Sequence, residues 1–445
     1  MALGLYISIP FCRTKCSYCN FASDVFSKSA YENYVVRLLE DIANSRQLAS
    51  ELGCTLGSAH GCTHADTADS IYLGGGTPSI LEAAQLLRIF AAVRDEFAVT
   101  PDAEITVECA PGTLTPALIE TLLLCGVNRV SLGVQSFVDR EAQSVGRLHK
   151  RSTVLEEIGR LREAGLRNIS IDLIAGLPHQ TVESWAFSVS ETIATGVPHA
   201  SVYMLEVDDD SRLGRELIAG GARYHAHFVP DDDATADFYQ QACETLADAG
   251  IAQYEISNFA RSPASPCDEE LQSNKSRHNL KYWTRQPYLG FGVDAHSMLV
   301  ADLHKDDRNQ DDRNQEARHE TDRHQAVRFA TPDSLDAYMN RAPHTVTPVS
   351  AQAAIEESFF LGLRLNRGID LEQLRKEFSA EFNQETVALW ESAIQESVHE
   401  GLLEQQGTTL HLTGRGRLLS NEVFARFLTE KTEETKVGTG HVNPR

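Results

Sequence analysis

The sequence predicts an α/β fold: a full or partial (β/α) barrel followed by a winged-helix-like C-terminal domain. Short β-branched runs recur through the first 200 residues, and stretches with helical spacing lie between them. Polar residues and glycines gather at the ends of those runs, where parallel α/β folds place their chemistry. From about residue 348 the texture changes to helices with one short strand pair.

The predicted strands are residues 5–9, 71–73, 105–108, 130–134, 169–174 and 201–205. Residues 31–48, 80–97, 116–125 and 154–164 read as helices between them. Strands alternating with helices imply βαβ units and a parallel sheet. An open doubly wound sheet is the alternative. In the C-terminal part, 351–365, 371–378 and 416–427 read as helices, and 402–403 with 410–412 as a small hairpin.

At 445 residues the chain exceeds what one hydrophobic core usually serves. The expected layout is a barrel with its extension over 1–300, an insertion over 301–325, the second domain over 348–430 and a frayed tail over 431–445. The 301–325 segment repeats a polar pentapeptide, Asp306 to Gln310 and again Asp311 to Gln315, and should be a solvated, disordered loop. Residues 50–68 read as a second, loose insertion.

A formal net charge of −23 repels a phosphate backbone, and no Lys/Arg stripe offsets it. No nucleic-acid partner is expected. No apolar run is long enough for an integral membrane segment, and no signal peptide is visible, so the expected location is cytoplasmic. Nine cysteines, mostly scattered, do not read as a disulfide framework.

Three of them cluster. Cys12, Cys16 and Cys19 form a CxxxCxxC loop directly after the first strand. A [4Fe–4S] cube needs four ligands, and this loop supplies three thiolates. The fourth iron is left for a chelating amino acid, here the amino and carboxylate groups of S-adenosylmethionine (SAM). Zinc would ordinarily use CxxC pairs and four protein ligands. Tyr18 precedes the last ligand and either covers the cluster or simply packs.

Gly74-Gly75-Gly76-Thr77-Pro78 closes the second strand, and its glycines let backbone approach a ligand closely. Glu108, Gln135, Arg147 and Asp172 follow on or just after successive strands. Each alone can be a structural hydrogen-bonder; around one mouth they suit the hydroxyls and methionine end of SAM. His278, with Tyr282 and Trp283 nearby, is either an axial heme ligand with a stacking wall or a satisfied histidine in an aromatic core. Cys54, His60, Cys62 and His64 offer a weak zinc set in the loose insertion.

Together the run from Tyr6 to Cys12, the cysteine loop, and residues 74–78, 133–137, 172–178, 278–283 and 362–364 resemble the oxygen-independent coproporphyrinogen III oxidase-like family of radical SAM proteins. The resemblance spans roughly residues 4–430 and is strongest to the heme-chaperone branch. The oxidase carries a further cysteine two positions past the third ligand, where this chain has Phe21. It also has an N-terminal extension, whereas eleven residues precede Cys12 here. The resemblance implies a radical SAM partial barrel, a [4Fe–4S] cluster, SAM and heme, with delivery of heme to acceptor hemoproteins. Peripheral contact with membrane hemoproteins is compatible with it. The alternative activity is oxidative decarboxylation of coproporphyrinogen III. By the same resemblance, Tyr6, Gly75, Gly76, Thr77, Glu108, Gln135, Arg147 and Asp172 match SAM-contacting positions, and His278 lies near bound heme. The oxidase binds two SAM molecules.

Overall fold

The computed structural model describes residues 2–54, 56, 67–262, 274–301, 326–378 and 384–428. Six strands form its centre: β1 (Leu3–Ile9), β2 (Thr67–Gly75), β3 (Ala98–Cys109), β4 (Arg129–Gln135), β5 (Asn168–Ala175) and β6 (His199–Met204). Each is parallel to the next, in chain order. On the β6 side the sheet ends in the hairpin of β7 (Ile251–Gln253) and β8 (Asn258–Arg261). On the β1 side it continues through β9 (Tyr288–Phe291), β10 (His296–Val300), β11 (Ala326–Ala330) and β12 (Thr345–Val349). A twelve-stranded sheet with two ends is an open, partial barrel.

The central strands alternate strictly. Leu5, Ile7, Ile71, Leu73, Val130, Leu132, Ile169 and Ile171 are wholly buried in the core shared with the surrounding helices. The intervening positions carry Tyr6, Ser8, Tyr72, Glu108, Ser131, Asp172 and Ser201. Parallel barrels ordinarily fill their centre with Val, Ile and Leu. This one faces its lumen with hydroxyls and carboxylates, so the centre is built for polar contacts.

The helix Arg277–Trp283 closes the N-terminal end of the barrel. Ser276 caps it, its hydroxyl accepting from Asn279 N at 3.3 Å. Glu104 of β3 accepts from the Arg277 and His278 amides, each at 3.1 Å. Lys281 donates to the Ala2 carbonyl at 2.8 Å and pairs with Asp69 at 2.8 Å. The starts of β1, β2 and β3 are thus tied to one floor.

The C-terminal part packs the helices Ala351–Gly362, Leu371–Glu377 and Gln384–His399 around β13 (Ile369–Asp370), β14 (Leu403–Gln406) and β15 (Thr409–Leu412). This helix-and-hairpin arrangement is the expected winged-helix-like form. Its core also takes in Tyr282, Trp283 and Tyr288 from the barrel side.

The predicted helix over 31–48 breaks at Asn44 into Lys28–Ala43 and Ser45–Glu51, and that over 416–427 into Gly414–Leu418 and Ser420–Ala425. Most of the 50–68 insertion, with His60, Cys62 and His64, lies outside the described residues. Cys54 is described; it sits in the core, 2% exposed, which removes it from any open zinc set. Of the 301–325 insertion only Ala301 is described, bridged to Cys54. Val300 at the end of β10 pairs with Ala326 at the start of β11, and residues 302–325 lie outside the described residues. The 431–445 tail also lies outside the described residues. Among the described residues, no helix is long and apolar enough to cross a membrane.

Candidate functional site

The cysteine loop leaves β1 at the C-terminal end of the barrel and is stapled from several sides. Cys12 N donates to Asp24 O at 3.0 Å, and Ser17 N to Val145 O at 3.1 Å. Thr14 donates to Gly146 O at 3.0 Å, and Leu213 N to Ser17 O at 2.8 Å. Cys16 is 8% exposed, while Cys12 and Cys19 are half-buried. Burial pushes the Cys12 thiol up, opposed by hydroxyl hydrogen bonds led by Thr77.

Two donors face the sulfurs. The Thr77 hydroxyl lies 3.7 Å from Cys12 Sγ, and Arg147 Nη1 lies 3.9 Å from Cys16 Sγ. Arg147 also donates to the Gly133 carbonyl, joining the loop to β4. Burial opposes its charge, but the neighbouring Cys16, Tyr18 and Cys12 outweigh that and raise its pKa. Among the described residues, no three ligand side chains converge on one metal ion. A cube takes one thiolate per iron, so its ligands do not share a single point. The other described cysteines, at 54, 109, 125 and 243, belong to the packed helices and sheet. Three thiols with a cation and a hydroxyl facing them suit a cluster with one open iron.

The glycines have a structural reason of their own. A Cβ on Gly76 would meet the carbonyl oxygens of Phe11 and Ile9 at 2.7 and 2.8 Å. Gly76 N and Thr77 N donate to those same two carbonyls, Ile9 and Phe11, each at 2.8 Å. Gly75 has a φ of +102°. The run therefore lets the end of β2 lie against β1 and hold the cysteine loop.

Glu108 accepts from the Tyr72 hydroxyl at 2.9 Å, and Asp172 from Ser131 at 3.0 Å. Burial raises the Asp172 carboxyl, opposed by the hydroxyls of Ser201 and Ser131. Gln135 is non-glycine yet has a φ of 68°, left-handed backbone of the kind that clusters at functional sites. Tyr18 packs on Val145, Ile174 and Leu177. Tyr6 sits deeper, its ring centroid 6.2 Å from that of Tyr72.

The structure thus gathers Tyr18, Gly75, Gly76, Thr77, Glu108, Gln135, Arg147 and Asp172 at the mouth with Cys12, Cys16 and Cys19, with Tyr6 below. It does not bring His278 there. His278 lies in the floor helix, 1% exposed, with Nδ1 3.1 Å from Ser70 Oγ and Nε2 2.8 Å from Tyr282 OH. Burial depresses its pKa to about 3. With both ring nitrogens occupied, the axial-ligand expectation is replaced by that of a satisfied core histidine. Sequence reasoning missed Ser8, Tyr72, Ser131, Ser201 and Tyr203, which line the same lumen. Their signal was the period-two spacing of hydroxyls, as in Ser70-Ile-Tyr72-Leu-Gly74.

Residues 6–189 match the Radical SAM superfamily, and residues 349–419 the HemN C-terminal domain. The chain is 30% identical over 429 residues to the heme chaperone HemW of Lactococcus lactis, covering 96% of this chain and 97% of that protein. It is 30% identical over 426 residues to HemW of Bacillus subtilis, covering 96% and 99%. The Escherichia coli HemW is 32% identical over 299 residues, covering 67% and 70%. Among solved structures, E. coli coproporphyrinogen III oxidase (HemN) superposes with a TM-score of 0.74 at 21% identity, covering 96% of this chain and 90% of that one. At that identity the likeness speaks for the fold.

Proposed function

Because this chain belongs to the HemW family of radical SAM proteins, we propose that it is a heme chaperone, binding heme and passing it to acceptor hemoproteins. The observation that carries this reading is the relationship to HemW proteins over nearly the full length of both chains. Phe21, where the resemblance places an additional cysteine in the oxidase, supports the chaperone over the decarboxylase.

In this reading Cys12, Cys16 and Cys19 hold a [4Fe–4S] cluster, and SAM occupies the mouth beside Gly75, Gly76, Thr77, Glu108, Gln135, Arg147 and Asp172. When bound, the pair supplies one-electron chemistry at the sulfonium. The chain's own part is electrostatic and positional. Arg147 opposes the accumulated thiolate charge, and Thr77 donates to Cys12. The carboxylates of Glu108 and Asp172 are held in place by Tyr72 and Ser131. The reducing conditions such a cluster needs agree with a cytoplasmic setting.

The test is anaerobic reconstitution, followed on one sample by heme titration and a coproporphyrinogen III assay. Stoichiometric heme uptake without protoporphyrinogen formation is expected. Robust SAM-dependent decarboxylation would restore the oxidase reading.

A further inference from the structure

The loop that carries the three cysteines is closed by one of its own side chains. Lys15 Nζ donates to the carbonyls of Phe21 at 2.9 Å and Ser23 at 2.8 Å. Ser23 N donates to the same Phe21 carbonyl at 2.6 Å. Asp24 then returns to the strand end, its N donating to Pro10 O and its O accepting from Cys12 N, each at 3.0 Å. The limb that leaves Cys19 is thus pinned by the ammonium next to Cys16 and, three residues later, by the backbone of Cys12. The Lys15 carbonyl is held in turn by Arg212 Nη1 at 3.2 Å.

Two hydroxyls of this loop are not satisfied in the same way. Ser17 and Ser23 are each 3% exposed, and the Oγ of each makes no hydrogen bond among the described residues. Buried polar atoms are nearly always paired, so two orphaned hydroxyls among three thiols indicate an unseen acceptor. The thiolates and sulfides of a [4Fe–4S] cube carry no protons and can only accept. For Ser23 the direction is also given. Burial raises the Cys12 thiol, and the hydroxyls of Thr77 and then Ser23 act against it, so the Ser23 side chain lies on the Cys12 side of the limb.

We propose that Lys15 and Ser23 tune the cluster: Lys15 is a positioning residue that folds the limb over residues 19–24 back onto the loop, and the Ser23 hydroxyl thereby donates to the Cys12 sulfur. This rests on the cluster assignment and is independent of what the chain does with heme. One added electron makes the cluster one charge more negative. A hydrogen-bond donor at its sulfurs stabilises that reduced form and raises the reduction potential. Thr77, 3.7 Å from the same sulfur, is the second such donor.

The experiment uses the full chain, reconstituted anaerobically. Iron content, thermal melting and the midpoint potential are measured in the wild type, Ser23→Ala, Lys15→Met and Lys15→Arg. The potential comes from a dithionite titration followed by electron paramagnetic resonance. Ser23→Ala should keep its iron and its melting temperature while its potential falls. The expected fall is a roughly 3- to 10-fold lower ratio of reduced to oxidised cluster at fixed potential, tenfold being about 59 mV for one electron. Lys15→Met should show the same fall together with a lower iron yield. Lys15→Arg should restore both, because a guanidinium can also donate to two carbonyls. An unchanged potential in iron-replete Ser23→Ala would overturn the inference and leave ordered water as the partner of that hydroxyl. Wild-type iron and potential in Lys15→Met would remove the positioning role. If Lys15→Met loses its cluster altogether, Ser23→Ala alone decides. No iron uptake by the wild type would remove the cluster assignment and this inference together.

Discussion

His278 and Ser70, 208 positions apart in the chain, meet at 3.1 Å on the floor of the barrel. Tyr282 takes the other ring nitrogen at 2.8 Å. Replacing His278 by Ala removes a hydrogen-bond partner of both Ser70 and Tyr282 and leaves a cavity between them. The expected loss is about 2–4 kcal/mol of stability. Denaturant melts check this. The Soret position of heme bound to the folded fraction should not move; a shift would return His278 to the ligand set.

The same histidine predicts a pH dependence. Its pKa in the folded chain is about 3, against an ordinary value of about 6.5. Between those values the unfolded chain takes up a proton that the folded chain refuses. Its contribution is therefore fully present above pH 6.5 and is lost as pH falls toward 3. His278→Gln removes that dependence. The stability gap between wild type and variant should narrow by about 2 kcal/mol from pH 6.5 to 5.0, at roughly 1.4 kcal/mol per unit. A constant gap would mean that the imidazole titrates normally.

At the other end of the barrel, Cys16→Ala should remove most iron after anaerobic reconstitution. Full retention would sink the ligand assignment. Arg147→Met removes the cation beside Cys16 and is expected to retain part of the iron while lowering its yield. Iron per chain and the absorbance near 400 nm are the measurements, on the order of one cluster per wild-type chain.

Gly76 and Gln135 separate two causes of lost SAM binding. Gly76→Ala drives a Cβ into the carbonyls of Phe11 and Ile9, so iron content and melting temperature should fall along with SAM affinity. Gln135→Gly relieves left-handed backbone strain of about 1–3 kcal/mol, partly offset by glycine's entropy. That variant should keep its melting temperature and its iron while SAM affinity falls. Equilibrium dialysis and a thermal melt on the same samples decide it. Unchanged SAM affinity would make Gln135 a structural residue.

The cysteine loop and the strand-end residues were legible because their chemistry is local: a ligand spacing, a glycine run, one polar group per strand end. The parallel core was legible for a similar reason, in the β-branched runs around Ile71, Val130 and Ile169. His278 was misplaced because its environment is assembled from β2, β3 and its own helix, with Glu104 and Ser70 far away in sequence. The break at Asn44 was invisible because apolar spacing continues across it through Leu48. Strands β9 to β12 were hidden for another reason. They are four or five residues long, and two of them flank the polar insertion.

The floor also constrains how the chain is made. β1 leaves the ribosome about 280 residues ahead of one of its two neighbours, β9, which begins at Tyr288. The lysine that ties down the Ala2 carbonyl is residue 281. At about 5–20 residues per second, roughly 15 to 60 s of synthesis separate β1 from its second partner. Throughout that interval a nascent barrel presents a bare strand edge and an open base. A bare edge is a template for pairing with other chains. Truncations ending before residue 277 should therefore aggregate during translation, and chaperone capture of stalled nascent chains should fall sharply once residue 291 has cleared the exit tunnel.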